Sequence, residues 1–459
     1  MRNAFTRVAP LQVHKEATAG ATRRQVLSRT AAAGTGGIIG VSAAACGTSS
    51  QPQGSQGQAG NAPQGRASYL VHMAPGPRVE QYKKLASLYQ AKNPKAEIEV
   101  LFTPPGESHP TKLVAMASAG DAPETTFVAG YNLVEFAERG VLQALDPLVA
   151  RDKIDMKGFF EKTVELSRWS AGGKQSLYAL PLHPNPAALF YNKDLFARRG
   201  VKPPDATWTW DTLLENARKL TGPDESGVEA PYASIPLWMT IRSMGGDILD
   251  KEWKKYTLAE PAGSAAVQWI AGLALRHKAA VPPSQISTRP FTQGKVALKW
   301  DIFPTIESVY TASKGQFAFD VAPVPKGPAG RINRNVIGAY GLLAQSKNVA
   351  LGWDWMKFLS TKEAHLLMAN DGAVFPALKE AARSPEFLNP PPPTPSVTRK
   401  VFLDSLEQDT LVQDPYIPSF GQIQTLVTRE LGPVWEGEKD ARNVLQSIAP
   451  QINALLAPK

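Results

Sequence analysis

The run Tyr178-Ala-Leu-Pro-Leu-His-Pro-Asn-Pro-Ala-Ala-Leu-Phe-Tyr-Asn-Lys-Asp-Leu-Phe-Ala-Arg-Arg-Gly-Val-Lys-Pro-Pro-Asp-Ala-Thr-Trp-Thr-Trp-Asp-Thr-Leu-Leu214 decides how this chain is read. Pro181, Pro184 and Pro186 lack an N–H and fix φ, which forbids a helix and predicts a chain crossing between two lobes. Ala187 to Tyr191 is a short apolar run of the buried-strand kind. Asn192-Lys-Asp-Leu-Phe predicts a turn into a short helix that stops at Gly200, which takes up the left-handed conformation a helix end favours. Pro203 and Pro204 block continuation. Thr209 then caps an amphipathic helix with Trp210, Leu213, Leu214, Ala217 and Leu220 on one face. Nothing in this stretch looks like a catalytic centre.

Upstream, Ser68 to Met73 is a short apolar strand. Pro75-Gly-Pro77 leads into a helix whose Val79, Tyr82, Leu85, Leu88 and Tyr89 share a face, and Asn93-Pro94 ends it. Ala96 to Phe102 alternates apolar and charged residues as a second strand. Strand, helix, strand is the start of an open α/β sheet, whose ligand crevice lies at the carboxyl ends of the strands. His72 and Met73 sit at such an end.

At 459 residues the chain predicts two domains, and 43% hydrophobic with 20% charged residues is the composition of a globular protein. Residues 1–45 hold six basic side chains and one acidic, so +5 of the net +9 belongs there and +4 to the rest, which lends little support to nucleic-acid binding. Thr22-Arg-Arg-Gln-Val-Leu-Ser28 resembles a twin-arginine export signal. Ala31 to Ala45 is too short and too polar for a membrane span. Ala43-Ala-Ala-Cys46 resembles a lipoprotein cleavage box, in which the Cys46 thiol takes a diacylglycerol; the other reading is an ordinary secretory signal with an incidental Cys. As the single cysteine, Cys46 leaves the mature chain no disulfide, Cys-based zinc site or thiol nucleophile. Gly34, Gly36, Gly37 and Gly40 follow no strand and are not read as a dinucleotide loop. Gly47 to Arg66 is a Gly, Ser, Gln and Pro tether.

The opening stretch resembles the signature of the extracellular solute-binding proteins, family 1, of ABC importers, in which Tyr-Asn-Lys-Asp-Leu-Phe precedes Gly-x-x-x-Pro-Pro-x-Thr-Trp. It departs from that pattern by an extra Trp-Thr step at Trp208 and Thr209 and by Thr212 in place of an acidic residue. Further segments resemble the same family in the same order: Lys112 to Thr125, Phe136-Ala-Glu-Arg-Gly-Val-Leu-Gln-Ala-Leu-Asp146, Pro231 to Trp238 with Gly245-Gly-Asp247, and Phe291-Thr-Gln-Gly-Lys-Val-Ala-Leu-Lys-Trp300. Gly338-Ala-Tyr-Gly-Leu-Leu-Ala344, Gly372-Ala-Val-Phe-Pro376 and Asp414-Pro-Tyr-Ile-Pro-Ser-Phe420 continue it, so the resemblance spans Ser68 to Leu456. It implies an α/β, two-lobe periplasmic-binding-protein-like fold (type II) with a ligand cleft between lobes and three hinge crossings, near Leu180, Val321 and Val374. The expected division is a signal peptide over 1–45, a lipidated Cys and tether over 46–67, a first lobe of 68–180 with 321–374, and a second of 181–320 with 375–459.

The resemblance also implies site residues. His72, Tyr131, Asn132, Trp238, Trp300, Asp301, Phe303, Tyr340 and Phe420 are cleft candidates, with core packing the other reading for Trp238 and Trp300. His183 lies in the crossing segment, in the cleft or on a solvated loop. Trp208, Trp210, Trp353, Trp355 and Tyr191 are expected to pack. A sugar needs aromatic faces for its C–H surfaces and forked polar partners for its hydroxyls, and ten Trp with eleven Tyr supply the rings. Enzyme readings are weak, because the six His form no metal-binding motif and there is no Gly-x-Ser-x-Gly elbow or phosphate loop. A glycosidase carboxylate pair stays open, since its spacing is three-dimensional. The expected function is capture of a sugar or oligosaccharide, or of another polar solute such as a glycerol-phosphodiester, by a monomeric, lipid-anchored receptor that uses no cofactor, binds no nucleic acid and delivers its solute to a membrane permease.

Overall fold

Two runs that are apolar on at least one face open the fold as parallel neighbours: β1 (Gly65–Val71) pairs with β2 (Ala96–Phe102) in register from Gly65 with Ala96 to Val71 with Phe102. In the computed structural model the described residues are 63–73, 77–104, 107–232, 234–288, 290–370, 372–391, 397–417 and 419–457, all within one compact unit, Gly60–Lys459. The twin-arginine-like segment, Cys46 and most of the tether lie outside the described residues. The helix Pro77–Lys92 connects β1 to β2 and buries Val79, Tyr82, Leu85 and Tyr89. β3 (Thr125–Ala129) joins β1 in parallel. Two later strands, β12 (Ile337–Leu342) and β6 (Leu180–Pro184), complete the five-stranded order β2-β1-β3-β12-β6, with β12 antiparallel to both its neighbours. Trp353 and Trp355 of the helix Val349–Leu359 fill the core on one face of this sheet. A hairpin of β4 (Arg168–Ala171) and β5 (Lys174–Leu177) lies just before β6.

The second sheet is built on the stretch from Ala187 to Leu214. β7 (Ala187–Asn192) is buried at every position, as its apolar run requires, between antiparallel β10 (Phe319–Ala322) and β9 (Val296–Ile302), with β8 (Ser226–Val228) beyond β9. Asn192 Oδ1 accepts from the N–H groups of Asp194 and Leu195, both at 3.0 Å, and so starts the helix Lys193–Arg199. Gly200, at φ 63°, ends it. Thr209 Oγ1 accepts from Thr212 N–H at 3.2 Å and starts Trp210–Leu220, whose buried face carries Trp210, Leu213, Ala217 and Leu220. Trp208, Trp210 and Tyr191 all pack in this lobe's core.

Each sheet thus anchors its own lobe, and the chain passes between them at definite places. Pro184 pairs in the first sheet and Ala187 in the second, so the first passage lies at 184–187, a few residues beyond the expected Leu180. The passage expected near Val321 falls elsewhere. Val321 pairs with Phe190 inside the second sheet, and the first sheet is regained only at Ile337. The prolines of 323–325 follow β10 instead of replacing it, and the linking strand β11 (Ile332–Asn335) pairs in parallel with β13 (Thr410–Gln413). Residues 321–336 therefore do not belong to the first sheet. At the third place, Val374 packs in the first lobe's core and Phe375 in the second's. After β13 the segment 414–417 dips back, placing Tyr416 in the first-lobe cluster that includes Leu133 and Ile337.

Candidate cleft between the lobes

Where β11 and β13 run side by side, the first lobe's helix Gly130–Glu138 faces the second lobe's helix Phe420–Glu430 across a cavity of about 310 Å³. Tyr131, Asn132, Tyr416 and Phe420 line it, with Arg334, Asp414 and Gln424. Tyr131 is 65% exposed, far more than an aromatic ring needed for packing. A second cavity of about 610 Å³ lies against the helix Ser234–Ser243 and is lined by Trp238, Arg334, Gly421, Gln424, Thr425, Thr428 and Arg429. The two share Arg334, Gly421 and Gln424 and so adjoin as two chambers.

The polar centre of the cleft is an alternating chain of charges. Asp414 Oδ2 accepts from Arg334 Nε at 2.9 Å and also from its Nη2, while Asp414 Oδ1 accepts from Arg242 Nη1 at 3.0 Å. Arg242 Nε donates in turn to Asp247 at 3.0 Å. Burial works against an ionised Asp414, but the two guanidiniums outweigh it and hold the carboxyl below its usual range. Arg334 is the member of this chain that reaches both chambers, with its fork already aligned by Asp414.

At the ends of the first sheet's strands lies a second polar group. The His72 ring stacks on Phe127 with centroids 3.7 Å apart, and His183 lies nearly parallel to the same ring at 6.2 Å. His109 is tied down between Thr103 Oγ1 at 3.2 Å and the Phe127 carbonyl at 3.0 Å. Burial pushes the pKa of His72 down to about 3, helped by His183, and that of His183 to about 3, helped by Arg78, so both rings are neutral at neutral pH. Nδ1 of His72 is buried without a hydrogen-bond partner. Among the described residues, no group of three or more His, Cys, Asp or Glu could hold a metal ion.

Of the residues singled out from sequence, Tyr131, Asn132, Trp238 and Phe420 line the two chambers, and His72 and His183 lie together at the strand ends of the first sheet. Trp300 does not line either chamber. It is 2% exposed in the second lobe's core, tilted against Trp210 at 5.0 Å, and its indole N–H donates to Thr240 Oγ1 at 3.0 Å. Phe303 is fully buried among Phe375, Phe387 and Phe402. Tyr340 is likewise buried, beside Tyr69 in the first core. Asp301 stays outside both chambers and pairs with Lys299 at 3.4 Å. Gly338 makes room for a side chain of the protein, since a Cβ there would stand 2.3 Å from His183 Nε2. His183 is in a strand and buried, not on a solvated loop. Arg334, Asp414, Gly421 and Gln424 escape a reading of the sequence. Only Asp414 carried a trace, as the first residue of the aromatic- and proline-bearing segment Asp414 to Phe420.

A profile of the bacterial extracellular solute-binding proteins matches residues 75–365. A protein of Brucella abortus (strain 2308), named as a binding protein, is 25% identical over 392 residues, covering 83% of this chain and 90% of its own. The fold matches that of an ABC substrate-binding protein of Listeria monocytogenes, solved in complex with cycloalternan, at a TM-score of 0.74 and 21% identity over 86% of this chain and 100% of the other. UgpB of Mycobacterium tuberculosis, solved in complex with glycerophosphocholine, matches at 0.71 with 18% identity over 86% of this chain and 98% of its own.

Proposed function

Since this chain belongs to the bacterial extracellular solute-binding protein family, we propose that it is the receptor of an ABC importer, which closes its two lobes on a neutral polyhydroxylated solute, a sugar or oligosaccharide, and presents it to a membrane permease. The observation that carries this reading is the pairing of an accessible aromatic ring, Tyr131, with charges that are already compensated. Arg334 is matched by Asp414, Arg429 by Glu430 at 2.7 Å and Glu135 by Arg139 at 3.2 Å. A phosphodiester would need a surplus of cationic donors, whereas hydroxyls need forked polar groups beside flat rings. On this reading Tyr131 offers an open ring face, Trp238, Tyr416 and Phe420 line the cleft with rings that are more than nine-tenths buried, and Asn132, Arg334 and Gln424 offer hydrogen bonds. His72 and His183 are the uncharged polar groups of the first lobe's strand ends, and no bond is made or broken.

The N-terminal segment supports an exported, lipid-anchored receptor. Thr22 to Ser28 supplies the twin-arginine-like address and Cys46 the lipid attachment, with the tether spacing the lobes from the membrane. Among the described residues no helix is long and apolar enough to cross a membrane. The proposed partners are the solute and the permease, and the receptor acts as a monomer.

A thermal-melt screen of the purified protein with gluco-, manno- and arabino-oligosaccharides and with glycerophosphocholine tests this. A saturating solute at a hundred times its Kd adds about 2.7 kcal/mol to stability. A rise with one sugar series and no release of reducing ends supports the receptor. A rise with glycerophosphocholine alone overturns the sugar reading, and release of reducing ends overturns the absence of catalysis.

A further inference from the structure

We propose that Gly421 sets the length of solute the cleft admits: it keeps open the passage between the two chambers, so that the site takes two or more linked pyranose or furanose units in preference to one. This rests on the sugar reading above.

Gly421 is the second residue of the helix Phe420–Glu430, where glycine is not the residue the backbone asks for. Its φ lies outside the left-handed region, and a Cβ built on it meets no atom within 4 Å. Neither conformation nor packing therefore requires a glycine at this first-turn position. What the missing side chain leaves free is the join itself, because Gly421 lines both chambers. The other two shared residues, Arg334 and Gln424, are long and polar, and Arg334 is held back on Asp414. They can bond to a solute lying across the join, and only at Gly421 is there no side chain in its way.

The rings are divided between the chambers. Tyr131, with its ring 65% exposed, lines the smaller chamber, and the larger has Trp238 in its wall, 3% exposed, so the open stacking face lies on the smaller side and the larger is walled mainly by polar side chains. At about 310 Å³ the smaller chamber is at the low end of small-molecule sites, which run roughly 300–1,000 Å³, and the larger, at about 610 Å³, adds room for further units.

The test is calorimetric titration of the full chain and of Gly421→Ala and Gly421→Leu with gluco-, manno- and arabino-oligosaccharides of one to four units. The wild-type protein should bind a disaccharide or longer sugar at least tenfold tighter than its monosaccharide. Gly421→Leu should erase that advantage, weakening the disaccharide at least tenfold more than the monosaccharide, and Gly421→Ala should fall between, with a melting temperature no lower than wild type. Equal loss for short and long sugars, no loss for either, or a wild-type protein indifferent to length overturns the proposal. If no sugar of any length binds the wild-type protein, the sugar reading itself falls and this proposal with it.

Discussion

Arg334 Nε donates to Asp414 Oδ2 at 2.9 Å across 80 positions of sequence, tying β11 to the residue that follows β13 where the chain passes between lobes. Arg242 shares the same carboxylate from the other side. Removing the anion leaves two guanidiniums facing each other, with the Arg242 and Arg334 side chains only 5% and 12% exposed. Breaking a buried pair from one side costs about 3–5 kcal/mol. Asp414→Asn should therefore lower the unfolding free energy measured in urea by that much, with a lower midpoint, and weaken solute binding as well, because Arg334 loses its alignment. A midpoint within error of wild type would show that the pair does not hold the crossing.

Trp300 separates packing from binding. Truncating a buried indole costs about 3–5 kcal/mol, and Trp300 also anchors Thr240 and Trp210. Trp300→Ala should lower the melting temperature sharply, whereas Trp300→Phe should retain solute affinity within a few-fold in titration calorimetry. Loss of binding in the phenylalanine variant at unchanged stability would return Trp300 to the cleft.

The contrast between Trp300 and Trp238 shows what was legible in the sequence. Asn192, Gly200 and Thr209 act on backbone groups two or three residues away, so their effect can be read locally, and the structure has each of them doing it. Strand-end positions such as His72 follow from the α/β order alone. Trp300 misleads because β9 is covered on both faces through Val296, Ala297 and Leu298, so alternation does not tell a cleft face from a core face. Val321 misleads because 323–325 carries the prolines of a linker, while the pairing of β10 with β7 that precedes it is a contact across more than a hundred residues. Arg334 and Asp414 leave no local pattern, since an ion pair 80 positions apart has no period.

Tyr131 makes the opposite case to Trp300. At 65% exposure it contributes little to the core, and surface substitutions are usually within about 0.5 kcal/mol of neutral. Tyr131→Ala should leave the melting temperature of the free protein nearly unchanged and weaken the solute at least tenfold, about 1.4 kcal/mol. Unchanged affinity would remove the Gly130–Glu138 helix from the binding wall.

The buried histidines fix the sign of the pH dependence. His72 and His183 are driven from 6.5 to about 3 and His365 to about 4, so the folded state holds them neutral while the unfolded chain protonates them near 6.5. The unfolded state then binds more protons, and stability that is complete above pH 6.5 is lost as pH falls toward the folded values. Each pH unit costs roughly 1.4 kcal/mol per histidine. Asp409 acts the other way: burial raises it from 3.8 to about 6, so its neutral form favours the fold as pH drops through that window. Three histidines against one carboxyl leave a net loss, and the melting temperature should fall between pH 7 and pH 5. The double variant His72→Asn with His183→Asn should flatten that fall, even if its stability at pH 7 is lower. A wild-type melting temperature equal at the two pH values, or an undiminished slope in the double variant, would mean that these rings are not held neutral by the fold.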